Sequence, residues 1–401
     1  MTDSDVSERA HIVRTGADRL LTDAPELIRG KRIGILTNQT GRLRDGRHVI
    51  EAITESGIAH VKALFGPEHG IFGNTPDGTV VDHEDHPGLG MPIYSLYGKI
   101  HKPTREMLEG IDTLVCDIQD VGARFYTFIS TIALAMEAAA EQRVSFVILD
   151  RPNPIRGLHY DGAVRVPSLR SFVGWMPIPV MHGLTIGELA TLWNNEGWLS
   201  NGVRVRLEVV PVAGWKRSMW FDESGLPWVA PSPNMQSLST AIVYPGLCFV
   251  EGSSISEGRG TGSPFQLIGA PWTDPEKILH HLDAFEAPGI RFTPEEFRPR
   301  DIPGIARQPK FDGVPCRGVR ITITDRDAVK PVRLGIAILA AFKRAHPQET
   351  ILRNRRFDIL TGNPSVRHQL DQNVSPESIC DSWKQELEAF GKVREKYLVY
   401  D

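Results

Sequence analysis

Short apolar runs alternate with polar, turn-forming clusters through the first 155 residues. Residues 31–36 (KRIGIL) run into Thr37-Asn38-Gln39-Thr40-Gly41, and residues 60–65 (HVKALF) run into Gly66-Pro67-Glu68-His69-Gly70. Residues 113–117 (TLVCD) run into Gln119-Asp120-Val121-Gly122-Ala123-Arg124, and residues 145–149 (SFVIL) into Asp150-Arg151-Pro152-Asn153-Pro154. The runs lack clean period-2 alternation, as strands do when both faces of a parallel sheet are covered. Between them the pattern is helical. Residues 124–142 carry an alanine-rich run (Ala133, Ala135, Ala138, Ala139, Ala140) suited to close packing on a sheet, and residues 103–110 begin near Pro103 and end at Gly110 as a short helix. Thr185 and Glu188 form a capping box opening the next helix, and residues 203–212 read as a strand. In an open parallel sheet the strand C-termini lie along one edge, where ligands bind. The topology therefore gathers the four polar clusters into one site.

Past residue 212 the pattern changes. Residues 213–265 hold Trp215, Trp220 and Trp228 among Pro227, Pro231 and Pro233, a long connection of a kind that is uncommon unless functional. Helices over 275–285, 332–344 and 376–390 and a strand near 319–324 follow. The expectation is an α/β protein with a parallel-sheet domain over residues 1–212 and a smaller α+β domain over residues 213–401.

Composition narrows the partners. The 401 residues are 41% hydrophobic and 23% charged with a net charge of −4, an ordinary globular balance. There is no Lys/Arg-rich stripe, which disfavours nucleic acid and anionic membrane surfaces. No run approaches the ~18 apolar residues that span a bilayer. The segment Met1-Thr2-Asp3-Ser4-Asp5-Val6-Ser7-Glu8 is polar and acidic, without the basic and apolar regions of an export signal; with Cys116, Cys248, Cys316 and Cys380 far apart and no CxxC pair, a cytoplasmic protein with reduced thiols is expected. No pattern specifies an oligomeric state, and no motif calls for a cofactor.

Three clusters carry candidate chemistry. In Gly66-Pro67-Glu68-His69-Gly70 the glycines allow a tight turn and Pro67 stiffens it, so Glu68 is presented rigidly beside His69. A carboxyl in a semi-buried cleft can serve as a general acid; the competing reading is a turn whose Glu caps the next segment. In Asp120-Val121-Gly122-Ala123-Arg124-Phe125-Tyr126-Thr127 a strand passes into a helix. Asp120 is equally a helix cap, whereas Arg124 in a first turn opposes the helix dipole and so suggests a ligand-facing cation. Ser256-Glu257-Gly258-Arg259-Gly260-Thr261-Gly262 lacks the context of a dinucleotide fingerprint and the ending of a P-loop; it is a polar clamp or an internal Glu–Arg brace. Asp82-His83-Glu84-Asp85-His86 is consecutive in a polar loop and is read as solvated, so no metal site is expected. His182 is a weaker candidate for the cleft, and the tryptophans are core or a sugar-stacking wall.

Taken in order, LTNQTG (36–41), LFGPEHG (64–70), PIYSLYG (92–98), DIQDVGARFYT (117–127), LDRPNP (149–154), PSPNM (231–235) and SEGRGT (256–261) resemble the DUF1343, or YbbC, family, whose characterised members are exo-β-N-acetylmuramidases of the NamZ type. The resemblance runs from about Thr15 to Tyr400. It implies a Rossmann-like N-terminal domain, a smaller C-terminal domain and an active site in the cleft between them. It also implies release of N-acetylmuramic acid from the non-reducing end of peptidoglycan-derived glycans during cell-wall recycling, with muramyl disaccharides or short glycans as partners. A non-catalytic binder of muramyl glycans or muropeptides is the alternative. The family's leading catalytic candidate, the glutamate of the GPEHG segment, maps onto Glu68, which is assigned as general acid with His69 tuning or relaying its proton. The second catalytic group is Asp120 or Glu257, unless the substrate's own 2-acetamido group attacks. Arg124 and Arg259 are candidate partners for the lactyl carboxylate, and Asn38, Gln39, Tyr126 and Asn153 for the sugar.

Overall fold

The computed structural model describes residues 12–73, 75 and 84–401; Met1–Glu8, read above as free of an export signal, and Asp82 and His83 lie outside the described residues. The larger sheet comprises β1 (Arg32–Thr37), β2 (His60–Gly66), β3 (Glu84–Asp85), β4 (Pro92–Ser95), β5 (Thr113–Asp117), β6 (Ser145–Leu149) and β7 (Leu207–Val210). Its order is β3-β4-β2-β1-β5-β6-β7. Every pairing is parallel except that of the edge strand β3 with β4.

Helices cover both faces. Ile33, Ile35, Leu64 and Val115 pack beneath α1 (Gly16–Asp23) and α2 (Val49–Ser56). Leu36, Phe65, Cys116 and Ile148 point the other way, into the core with α3 (Thr127–Gln142) and α4 (Ile186–Asn195). Burial on both faces explains the runs without alternation. The capping box at Thr185 forms, with the Thr185 side chain accepting from Glu188 N. Helix α3 starts at Thr127 rather than Arg124, because residue 126 is still extended (φ −73°, ψ 116°).

The second domain contains α5 (Leu238–Leu247), then a three-stranded antiparallel sheet of β8 (Leu267–Ala270), β9 (Ile290–Phe297) and β10 (Cys316–Ile323) in the order β8-β10-β9. Helices α6 (Pro275–Leu282), α7 (Pro331–Ala345), α8 (Asn354–Thr361), α9 (Pro364–Asp371), α10 (Pro376–Asp381) and α11 (Lys384–Arg394) complete it. The fold is thus α/β with a smaller α+β domain, and it corrects the sequence expectation in detail. Helix α5 lies where a connection was expected. The single helix over 376–390 is two, broken before Trp383. The helix over 103–110 is one 3-10 turn, Glu106–Leu108. Helix α5 crosses α7 backbone to backbone: a Cβ on Gly246 would overlap the Pro331 carbonyl, and one on Gly335 would overlap Gly246. The C-terminus returns to the first sheet, where the Tyr400 hydroxyl donates to Asp150 Oδ2 (2.5 Å) and Arg217 N donates to Asp401 O (2.7 Å). No described helix is long and apolar enough to cross a membrane.

Candidate active site

The turn after β2 bends sharply. His69 has φ +73° and Gly70 also has φ +73°, and for a histidine that left-handed conformation persists only where its surroundings hold it. The holding contact is His69 Nδ1 to Thr75 O at 2.7 Å. A carbonyl only accepts, so Nδ1 carries the proton and Nε2 is the acceptor nitrogen. Burial lowers the His69 pKa, against the pull of Glu68, and keeps the ring neutral at neutral pH. The turn projects Glu68 towards the start of α3, where the Thr127 hydroxyl donates to Glu68 Oε2 at 2.6 Å. Tyr97, just past β4, hydrogen-bonds the same carboxyl; burial and then Glu68 raise its pKa, so it stays a neutral donor.

The second domain faces this turn with alternating charges. Glu251, on the turn after α5, accepts from Arg259 Nη2 (2.8 Å) and from Arg356 Nη2 of α8 (3.0 Å). Glu257 lies 3.7 Å from Arg259 Nε and 2.9 Å from Lys310 Nζ. Burial, then Glu257, raises the Glu251 pKa, while Arg356 pulls it down. Burial pushes Arg259 down to about 10 even though Glu68 stabilises its charge. The Arg259 guanidinium lies 5.2 Å from the centre of the Phe265 ring.

Between the two sets is a cavity of about 660 Å³ lined by both domains, within the size range of ligand sites. On one wall His101, Phe172 and Tyr97 pack ring to ring, with centroids 4.1 Å and 5.8 Å from Phe172. Phe125, Tyr126 and Tyr244 add a second aromatic surface. A hydrogen-bonded carboxyl, a second carboxylate between cations and aromatic faces are what glycoside cleavage requires: a proton donor, a charge to stabilise an oxocarbenium-like centre and apolar surface for the ring.

Of the residues singled out in the sequence, Glu68, His69, Tyr126, Glu257 and Arg259 line this cavity. The others are engaged in the fold around it. Asp120 Oδ2 accepts from Gly122 N (2.7 Å) and pairs with His182 Nε2 (3.1 Å), both residues buried. Arg124 is fully buried and donates from Nη1 to Ala163 O and Ile178 O and from Nη2 to Leu360 O. Asn38 Oδ1 closes its own turn on Thr40. Gln39 Nε2 holds the carbonyls of Ala230 and Pro231, and Asn153 bridges Leu184 O and Ile155 N. Sequence reasoning did not single out Tyr97, Thr127, Glu251, Lys310 or Arg356. Tyr97 and Thr127 stand inside motifs already noted, PIYSLYG and DIQDVGARFYT, so their neighbourhood was a signal. Glu251, Lys310 and Arg356 stand in unremarkable contexts and are assembled by tertiary packing alone.

The models of the two parts of one family, exo-β-N-acetylmuramidase NamZ, match residues 33–239 (its N-terminal part) and 242–400 (its C-terminal part). The peptidoglycan β-N-acetylmuramidase NamZ of Bacillus subtilis (strain 168) is 42% identical over 389 residues, which are 97% of this chain and 91% of that protein. Two crystal structures of DUF1343 family proteins from Bacteroides fragilis are also similar. One, at 1.65 Å resolution, has a TM-score of 0.89 and 34% identity, covering 98% of this chain and 100% of the other. The second, at 1.30 Å, has a TM-score of 0.78 and 31% identity, covering 97% and 99%.

Proposed function

The chain belongs to the exo-β-N-acetylmuramidase NamZ family, and on that footing we propose that it is a glycosidase that releases N-acetylmuramic acid from the non-reducing end of peptidoglycan-derived glycans. The observation that carries the reading is Glu68, oriented by Thr127 and Tyr97 at the wall of a cavity to which the second domain brings two further carboxylates and three cations. Glu68 is the general acid that protonates the leaving oxygen. Thr127 and Tyr97 fix the carboxyl plane, so the proton is aimed rather than searched for. Neutral His69, locked by Thr75, shapes the turn that presents the acid.

Of the two other carboxylates of the cavity, Glu257, held by Lys310 and Arg259, is the one assigned to stabilising positive charge at the anomeric carbon. Asp120 instead braces the loop before α3 through Gly122 and His182.

The test is release of p-nitrophenol from p-nitrophenyl β-N-acetylmuramide, and of sugar from a natural muramyl disaccharide, by wild type and Glu68→Gln. The amide keeps an acceptor for Thr127 but has no proton to give. Loss of about 10²–10⁴-fold is expected on the disaccharide, and less on the nitrophenyl substrate, whose leaving group needs little protonation. Equal turnover of the disaccharide by the variant removes Glu68 from the acid role. Absence of wild-type turnover on both substrates points to the binding module.

A further inference from the structure

The cations of the cavity differ in what they have left to offer. The Lys310 ammonium has three donors, which meet Val250 O (2.8 Å), Ile255 O (2.8 Å) and Glu257 Oε2 (2.9 Å). Arg259 is clasped between Glu251 and Glu257 over the Phe265 ring, and its side chain is only 18% exposed. Arg356 is different. Its side chain is 49% exposed, and among the described residues it is hydrogen-bonded through Nη2 alone, to Glu251. A planar guanidinium tethered at one nitrogen keeps an edge for a second, bidentate partner.

We infer that Arg356 reads a carboxylate carried by the sugar in this cavity and thereby sets a preference for muramyl over N-acetylglucosaminyl residues; the inference rests on the muramidase reading of the same cavity.

The placement of Arg356 is rigid. Helix α8 is clamped at its start, where Arg353 N donates to Gly252 O (2.8 Å) and a Cβ on Gly252 would lie 2.6 Å from Phe357 Cα. It is clamped at its end, where Arg124 Nη2 donates to Leu360 O (2.6 Å). Glu251 then orients the guanidinium from the neighbouring turn. Charge balance points the same way. Glu68, Glu251 and Glu257 line the cavity together with Arg259, Lys310 and Arg356. Once Glu68 carries the proton it must donate, one cation lacks its counter-charge. Arg356 is the exposed one, and a substrate carboxylate would supply the missing charge. The amide and hydroxyls of N-acetylglucosamine would not.

The test is calorimetric binding of N-acetylmuramic acid, of its lactyl carboxamide and of N-acetylglucosamine to wild type, Arg356→Gln and Arg356→Lys, with wild-type turnover of the muramyl disaccharide measured alongside. Wild type should bind the acid about 10- to 100-fold more tightly than the carboxamide, as expected of a charge-assisted bidentate pair. Arg356→Gln should erase that gap while leaving carboxamide binding within about twofold, and Arg356→Lys should restore only part of it. A gap that survives Arg356→Gln, a wild type without a gap, or an equal loss for acid and carboxamide overturns the inference. A gap that depends on Arg356 in a protein that does not cleave the disaccharide upholds the carboxylate reading and defeats the muramidase one.

Discussion

Replacing Arg124 by methionine tests whether this arginine touches substrate or builds the wall. The guanidinium is fully buried, and its donors end on the carbonyls of Ala163 (2.8 Å), Ile178 (3.2 Å) and Leu360 (2.6 Å). No carboxylate stabilises the charge. Burial, aided by Arg165, pushes its pKa well below the usual guanidinium value, down to about 9, a displacement worth roughly 5 kcal/mol at 1.36 kcal/mol per pH unit. Against this stand three charge-assisted hydrogen bonds at about 1.5–3 kcal/mol each. Methionine removes the bonds and the desolvated charge together, so the net loss is the difference, about 2 kcal/mol, rather than the sum. The carbonyl released at Leu360 lies at the end of α8, whose first turn carries Arg356. Turnover of a muramide should therefore fall by about tenfold, and that of its lactyl carboxamide by less, because a loosened α8 misplaces Arg356, and the loss should accompany the lost stability. Urea unfolding gives the first quantity and kcat/KM on the two substrates the second. An Arg124→Met enzyme of wild-type stability that loses the muramide selectively would refute this reasoning and return Arg124 to the lactyl carboxylate.

Two further outcomes follow from buried groups. Burial pushes Asp150 up to about 6, against hydrogen bonds from Tyr400, Gly187 and Thr185. A carboxyl whose folded pKa lies above its unfolded value near 3.9 binds its proton more tightly when folded, so its contribution to stability falls as pH rises from about 4 to about 6, by roughly 3 kcal/mol. Urea unfolding of wild type and Asp150→Asn across that range should show their difference changing by this amount, and a constant difference would contradict it. Gly246→Ala should cost about 3 kcal/mol, because the new methyl overlaps the Pro331 carbonyl and α5 must part from α7; a melting temperature within about 2 °C of wild type would show that the crossing can relax.

The legibility of the fold in the sequence followed burial geometry. Strands β1, β2, β5 and β6 were readable because short apolar runs bounded by turn residues are a local signal. Helix α5 was not, since Thr240 to Leu247 are all buried and Pro245 and Gly246 interrupt the pattern; a helix without a solvent face has no amphipathic period. The break between α10 and α11 depends on Trp383 turning into the core, which nothing adjacent announces. At the site, Glu68 and Glu257 sat in glycine-flanked loops that mark special backbone. Arg356 is an ordinary charged residue on a short helix, and its proposed role depends on Glu251, 105 positions away. Arg124 was readable as unusual but not as structural, because its partners are carbonyls from distant segments, and carbonyls have no sequence signature.

The same packing explains why the cavity lies away from the place where a parallel sheet usually binds ligands. The strand order reverses between β1 and β5, and the crevice beyond their C-termini is the default site. Here it is filled. Asp117, at the end of β5, is locked to Arg151 at 2.5 and 2.8 Å, and Arg151 also donates to Arg42 O. Thr40 Oγ accepts from Gln119 N, and Gln39 ties the crevice to the connection at Ala230 and Pro231. Residues 226, 227 and 229 of that connection lie over what little space is left. With the switch point closed, the open edge is the one beyond β2 and β4, where Glu68 and Tyr97 emerge, and it has few charges of its own. Glu251, Glu257, Arg259, Lys310 and Arg356 all come from the second domain. In the proposed mechanism the first domain thus supplies the proton donor and its aim, and the second supplies the field in which that donor works. A site divided in this way needs both domains docked, which gives a physical reason for the buried ties of Arg124 to Leu360 and of Tyr400 to Asp150 that join the end of the chain to its first sheet.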